Sequence, residues 1–168
     1  MPRLLATLAV LLALGASGCS KKPPPEITSL QRKEAATLVS EAQFALALRD
    51  NARAEELLAK AVALCPDNGT YWLDLGVLRR RADRRDEARQ AFAGAARAYA
   101  AAYQADPKDP QPRLQQIYVE SLLGNAKAAQ KLLKQVRADH PDHPAVKNLT
   151  PENYDKMLAD PGFKALAL

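Results

Sequence analysis

Motifs for catalysis and metal binding are absent from this 168-residue sequence. It has two cysteines and two histidines, and its seven glycines are scattered, so no glycine-rich loop is available to hold a phosphate. A nucleophile elbow and a zinc-binding helix motif are also missing. His140 and His143 lie between prolines in a predicted loop, and two ligands are too few for a closed metal site. We therefore expect no enzymatic activity, no metal and no diffusible cofactor.

The sequence also lacks an apolar run long enough to cross a bilayer, which takes about 20 residues. Its longest apolar core, Leu4 to Leu14, follows the basic Arg3 and precedes the small residues 15–18. This order of basic, apolar and small residues is typical of a secretory signal peptide. We predict that residues 1–18 are a signal peptide that is removed from the mature protein.

The residues 16–19, Ala-Ser-Gly-Cys, resemble the lipobox of bacterial lipoproteins. The resemblance implies cleavage before Cys19, which then carries covalent lipid on its sulfur and on its new amine. Several acyl chains anchor firmly, because each buried methylene contributes about 0.8 kcal/mol. By resemblance to the sorting rule of Gram-negative lipoproteins, Ser20 in place of Asp implies the outer membrane, facing the periplasm, rather than the inner membrane or the cell surface. Ordinary secretion with an incidental cysteine is the alternative.

Residues 19–27 contain three consecutive prolines and are predicted to form an extended tether. At about 3.1 Å per residue, residues 20–27 hold the folded part roughly 25 Å from the anchor. Lys21 and Lys22 either keep this tether solvated or contact anionic headgroups.

A repeating helical pattern follows the tether. Trp72, Leu75 and Gly76 have a Trp-x2-Leu-Gly spacing, and Ala88 and Phe92 have an Ala-x3-Phe spacing. Similar residues recur 34 positions earlier and 41 positions later than the second pattern. The recurring sets are Ala54, Leu58 and Ala61; Ala88, Phe92 and Ala95; and Ala129, Leu133 and Val136. The chain thus resembles tetratricopeptide (TPR) proteins, whose unit is a helix–turn–helix of about 34 residues.

The resemblance implies an all-α fold, a short α-solenoid of three TPR repeats over residues 28–143 with a C-terminal capping helix and tail over 144–168. The repeats are predicted at 35–68, 69–109 and 110–143. One helix pair cannot bury its apolar face alone, so stacking of the three forms the core.

Several helix boundaries are also predicted. Thr28 and Gln31 fit a capping box at the start of the first helix. Seven extra residues in an alanine-rich stretch of repeat two amount to about two helical turns. They predict one long helix from Asp86 to Ala105, with an extended segment over 107–112.

In TPR proteins the first helix of each repeat lines a concave groove that binds a peptide or protein. The candidates carried over by alignment are Val39, Gln43, Leu46, Leu73, Val77, Arg80, Arg81, Leu114, Tyr118 and Leu122. The positions of the carboxylate clamp found in some relatives hold Val39, Gln43, Asp74, Gln111 and Gln115, so no such clamp is predicted. An apolar groove with a basic end suits a segment with apolar anchors and an acidic flank. Alternatively, the tail helix or the FKALAL end fills the groove.

The sequence therefore predicts a lipid-anchored protein–protein interaction module, a scaffold or assembly factor of the bacterial cell envelope. The alternative is a structural envelope lipoprotein that self-associates through its extended helix and tail. Five arginines between 79 and 85 are interleaved with acidic residues, which favours a salt-bridged, solvated turn over an anionic partner. Export argues against nucleic acid as a partner.

Overall fold

Nine α-helices make up the part of the chain that the computed structural model describes, residues 26–168. They are α1 (Ser29–Ala47), α2 (Asn51–Leu64), α3 (Gly69–Arg81), α4 (Arg85–Ala105), α5 (Gln111–Leu122), α6 (Ala126–Asp139), α7 (Pro144–Asn148), α8 (Pro151–Ala159) and α9 (Pro161–Leu166). The first six form three hairpins, and each hairpin packs on the next through α2 with α3 and α4 with α5. The predicted fold is confirmed: it is all-α, a short solenoid of three TPR-type repeats with a C-terminal cap.

The turn within each hairpin has the same backbone geometry in all three repeats. Arg49, Asp83 and Gly124 have φ angles of 62°, 58° and 75°, at the spacings of the core pattern. The next amide in each case donates to a carbonyl five residues back: Asp50 to Ala45 at 2.9 Å, Arg84 to Arg79 at 3.0 Å and Asn125 to Glu120 at 2.9 Å. A residue in the left-handed region therefore ends the first helix of every repeat.

Close contact between an aromatic ring and a glycine sets the distance between α3 and α4. A Cβ atom built on Gly76 would lie 2.5 Å from Cδ1 of Phe92, and one on Gly94 would lie 2.6 Å from Cδ2 of Trp72. Phe92 is fully buried. Because both glycines lack a side chain, the two helices approach closely enough to bury the Phe92 ring and to pack the partly buried Trp72 ring against α4.

The repeat insertion lies entirely in α4, as predicted. This helix has 21 residues, whereas α2 and α6 have 14 each. Two tyrosines of its C-terminal half bond to other helices: the hydroxyl of Tyr99 lies 3.1 Å from Oγ1 of Thr70, and that of Tyr103 lies 3.2 Å from Nε2 of His140. The added turns thus tie repeat two to the end of α6.

The expectation of an extended segment over 107–112 was wrong. Residues 107 and 108 form a turn, and α5 already begins at Gln111. The side chain of Asp106 accepts a hydrogen bond from the Lys108 amide at 3.1 Å, and Asp109 accepts one from the Gln111 amide at 2.9 Å. These local bonds to aspartate favour a tight turn over an extended strand.

At the N-terminal end the predicted capping box is confirmed. The Gln31 amide donates to Oγ1 of Thr28 at 3.2 Å, and the Thr28 amide donates to Oε1 of Gln31 at 2.9 Å. The predicted signal peptide and Cys19 lie outside the described residues. None of the described helices combines the length and apolar character that a membrane span requires.

The C-terminal cap consists of three short helices, α7, α8 and α9, rather than one capping helix. Buried Tyr154 of α8 and Val146 of α7 pack against the apolar face of α6, at Leu133 and Val136. The hydroxyl of Tyr154 also lies 2.8 Å from Oγ of Ser121 in α5. The apolar outer face of repeat three is therefore covered. The last repeat of a solenoid needs such a cap, because no further repeat packs against it.

Replacing Phe92 with alanine is expected to destabilise the solenoid by about 3–5 kcal/mol, the usual range for a large buried aromatic side chain. Thermal unfolding followed by circular dichroism measures the loss. Gln104→Ala, at an exposed position of the same helix, is the control and should shift the midpoint little. Equal midpoints for Phe92→Ala and the wild-type protein would contradict the packing described above.

Candidate functional site

The groove predicted from the sequence is open between α1 and α3. A cavity of about 260 Å³ lies there. Its lining residues are Val39, Ala42, Gln43, Leu46, Leu58, Asp74, Val77, Leu78 and Arg81. Five of them, Val39, Gln43, Leu46, Val77 and Arg81, were predicted groove residues. The structure brings these five together around one opening, which we call the open half of the groove.

Much of the rest of the predicted groove is occupied by the chain's own segment 163–168. Phe163 is buried in one apolar cluster with residues of α4 and α5, and Leu166, Ala167 and Leu168 pack against that cluster. The ring of Tyr118 meets the ring of Phe163 edge to face, with centroids 5.7 Å apart. We call this region the filled half of the groove.

Two hydrogen bonds to the backbone of residues 167 and 168 fix the end of this segment. Nε of Arg80 donates to the carbonyl of Ala167 at 3.1 Å. The amide of Leu168 donates to the carbonyl of Leu122 at 2.9 Å. Ala167 has an extended backbone, with φ −64° and ψ 152°, so the two residues after α9 are extended and are held by α3 and α5.

Four predicted groove residues therefore lie outside the open half, and one of them, Tyr118, lines a separate cavity beside α8 and α9. Leu73 and Tyr118 pack against the cluster that contains Phe163, and Leu114 packs against the cluster that contains Tyr154. Leu122 is a correction to the prediction, because it is fully buried in the core. Alignment to a repeat cannot show this, since the covering segment 163–168 lies outside the repeats, much further along the chain.

Most of the arginine cluster is paired within the molecule. Arg79 donates to Glu55 at 3.0 Å, and Arg84 bonds both Glu55 and Glu87. The other ion pairs of this cluster are Arg79 to Glu87 at 3.7 Å, Arg80 to Asp83 at 3.5 Å and Arg85 to Asp83 at 3.7 Å. Four of the five arginines thus form the predicted ion pairs, but the side chains of Arg79 and Arg80 are only 19% and 13% exposed, so this part of the turn is not solvated as predicted.

Arg81 differs from the other four. It is exposed, lines the open half, and makes no ion pair with any of residues 26–168. Asp74 lies on the same cavity, and burial raises the pKa of its carboxyl. The open half therefore has apolar walls, one desolvated carboxylate and one available guanidinium.

The cysteine and the metal-ligating side chains of the described residues do not form a reactive site. Cys65 is buried, its Sγ lies 3.7 Å from the carbonyl of Gln31, and burial raises the pKa of its thiol. A raised pKa lowers the thiolate fraction, so Cys65 is a poor nucleophile at neutral pH. Within 26–168 no group of three or more His, Cys, Asp or Glu side chains is placed to hold a metal ion.

Comparison with known protein families agrees with the repeat architecture. A family model described as "Tetratricopeptide repeat" matches residues 90–150. A chain of the solved structure titled "CopN-Scc3 complex" is similar over 77% of this chain and 71% of its own, with 20% identity and a TM-score of 0.47. No curated protein matches the sequence.

The contacts of Glu55 with Arg79 and Arg84 join repeat one to repeat two, and they predict a pH-dependent stability. Hydrogen bonding, chiefly from Arg84, holds the pKa of Glu55 below its usual range. The stabilisation is therefore complete above the pKa of the unfolded chain, about 4.3, and is lost as pH falls through the folded value. Glu55→Gln should cost about 1 kcal/mol at neutral pH, since Arg84 is partly exposed to solvent.

Thermal midpoints of wild type and Glu55→Gln between pH 7 and pH 3 measure this effect. The difference between the two proteins should be largest above pH 5 and should narrow below pH 4. Glu56→Gln is the matched control, because Glu56 is exposed and its partners Arg53 and Lys60 lie on the same helix. A difference that is constant with pH would argue against the Glu55 ion pairs.

Proposed function

We propose that this protein is a protein–protein interaction module whose open half-groove, between α1 and α3, binds a segment of a partner protein. The observation that carries the proposal is the cavity itself, where Val39, Leu46 and Val77 provide apolar walls next to Arg81. Apolar pockets with a few fixed polar groups are the usual form of a peptide-binding site. No catalytic role is proposed.

The chemistry of the groove indicates which segment would fit. The filled half already accepts apolar side chains, and Arg80 donates there to a main-chain carbonyl. A partner with apolar anchors for Val39 and Val77 and an acidic residue near Arg81 would use both features of the open half. Asp74 disfavours a second acidic residue deeper in the cavity, because its own carboxylate is already desolvated there.

We further propose that covalent lipid on Cys19 anchors the module to the bacterial outer membrane, facing the periplasm. The support is the order of a basic residue, an apolar core, small residues and Cys19 in the sequence. The proline-rich tether would then hold the groove near the membrane surface. The partner would be a protein or peptide of the cell envelope, not a nucleic acid.

Self-association through the extended helix and the tail is less well supported. Tyr99 and Tyr103 of α4 are buried and bond to neighbouring helices. The tail segment is already held in the filled half of the groove. Both surfaces are thus used within one molecule, which favours a heterologous partner in the open half.

Photocrosslinking tests the groove in intact envelopes. A benzophenone amino acid at Leu46 should form an adduct with a partner protein, whereas the same group at Arg89, an exposed position of α4 away from the cavity, should not. Charge reversal by Arg81→Glu should lower the adduct yield about tenfold, equivalent to about 1.4 kcal/mol. Arg89→Glu is the matched control. Equal yields from both crosslinking positions would refute the groove as the binding site.

The lipid anchor has a separate test. Cys19→Ser should move the protein from the detergent phase to the aqueous phase in detergent partitioning, because the lipid-bearing sulfur is lost. Cys65→Ser is the control, since Cys65 is buried in the folded domain. A Cys19→Ser protein that still enters the detergent phase would exclude lipidation at this residue, and would leave the groove proposal untouched.

A further inference from the structure

Exposed large apolar side chains are concentrated on one helix. Within residues 26–168 all four of them lie on or next to α1: Leu30 is 72% exposed, Phe44 67%, Leu48 66% and Leu46 37%. Leu46 belongs to the open half of the groove. The other three, at positions 30, 44 and 48, lie within about 40° of one line along the helix, because an α-helix has about 3.6 residues per turn.

Comparison of Phe44 with the equivalent positions of repeats two and three shows that this face of α1 is a helix-packing surface. Phe44, Leu78 and Val119 hold the same place in successive repeats, at the spacings of the recurring core pattern. Leu78 is buried in a cluster with Leu57 and Leu58 of the preceding repeat, and Val119 in a cluster with Ala95 and Tyr99 of the preceding repeat. Phe44 thus occupies the position that stacks on another helix in both later repeats, and in the described residues no helix covers it.

The residues on this line of α1 are complementary to the same residues of a second, antiparallel copy of the helix. It contains Leu30, Lys33, Thr37, Glu41, Phe44 and Leu48. Lys33 and Glu41 lie four positions before and after Thr37, and Leu30 and Phe44 lie seven positions before and after it. If two copies of α1 cross antiparallel at Thr37, each Leu30 faces a Phe44 and each Lys33 faces a Glu41 of the second copy.

The charges on this line are available for such a contact. Lys33 and Glu41 are exposed and form no ion pair with other residues of 26–168. A parallel arrangement would instead place each lysine beside a lysine and each glutamate beside a glutamate. The order of Lys33 and Glu41 along α1 therefore favours pairing with an antiparallel copy of α1 over pairing with a parallel copy.

We infer that the outer face of α1, at Leu30, Lys33, Thr37, Glu41, Phe44 and Leu48, is the contact surface of a twofold-symmetric homodimer. The interface is isologous, so each pair of contacts occurs twice about an axis at Thr37. Val39 and Leu46 lie on the opposite side of α1, at roughly 160–180° from Thr37. Both open half-grooves thus stay accessible in the dimer.

Chemical crosslinking of the full chain tests this surface. Thr37→Cys should give a covalent dimer with a bismaleimide of about 8–10 Å, the distance between axes of packed helices. Gln104→Cys, exposed on α4, and the parent chain with buried Cys65 should give little. A folded Thr37→Cys protein, verified by circular dichroism, that crosslinks no better than Gln104→Cys would overturn the inference.

Charge exchange then tests the antiparallel register. Lys33→Glu alone, or Glu41→Lys alone, places like charges together at two symmetric sites and should lower the crosslinked fraction about tenfold at low salt. The double variant restores opposite charges and should recover most of the dimer. Failure of the double variant to recover it, with both single variants folded, would show that the copies do not pair in this register. Adducts of Thr37→Cys with a different protein only would also contradict the homodimer.

Discussion

The contact between the Phe92 ring and Gly76 is the one on which the stacking of the solenoid depends. Phe92 is fully buried, and any Cβ at position 76 would lie within 2.5 Å of its ring. Such a contact holds α3 against α4 at short range and leaves the outer faces of both helices for their neighbours. Those faces carry Leu75 and Leu78 toward α2, and Ala95 toward α5. One close helix pair in the middle therefore positions the repeats on either side.

The two ends of the stacked repeats differ in whether their apolar outer face is covered. At the C-terminal end Tyr154 and Val146 cover α6, and the hydroxyl of Tyr154 finds a partner in Ser121. At the other end polar residues replace part of the stacking face, since Glu41 stands one repeat before buried Leu75. Phe44 keeps its apolar character although 67% of it is exposed. At the C-terminal end the cap thus prevents further helices from stacking. At the N-terminal end an apolar side chain that could stack on another helix stays exposed, with charged residues beside it.

The sequence was a sufficient guide to the N-terminal cap of α1 and to the elements that the repeat sets. Thr28 and Gln31 are close neighbours in the chain, and the capping box they predicted is present. The long α4 followed from counting residues between recurring core positions. Prediction failed at Leu122 and at the 107–112 connection. Leu122 is buried by packing that includes the distant segment 163–168, and the connection is determined by which backbone amides Asp106 and Asp109 can reach.

The same distinction explains why alignment to the repeat predicted only the open half of the groove, whereas the filled half corresponds to the alternative in which the FKALAL end occupies it. The predicted residues of the open half lie on α1 and α3, whose phases are fixed by the repeat period. The filled half depends on where Phe163 docks, and this is decided by Tyr118 and by the buried face of α5. Val77 lines the open cavity and also packs against the cluster that holds Phe163. The tail therefore limits the length of the open half, which ends where Arg80 holds the carbonyl of Ala167.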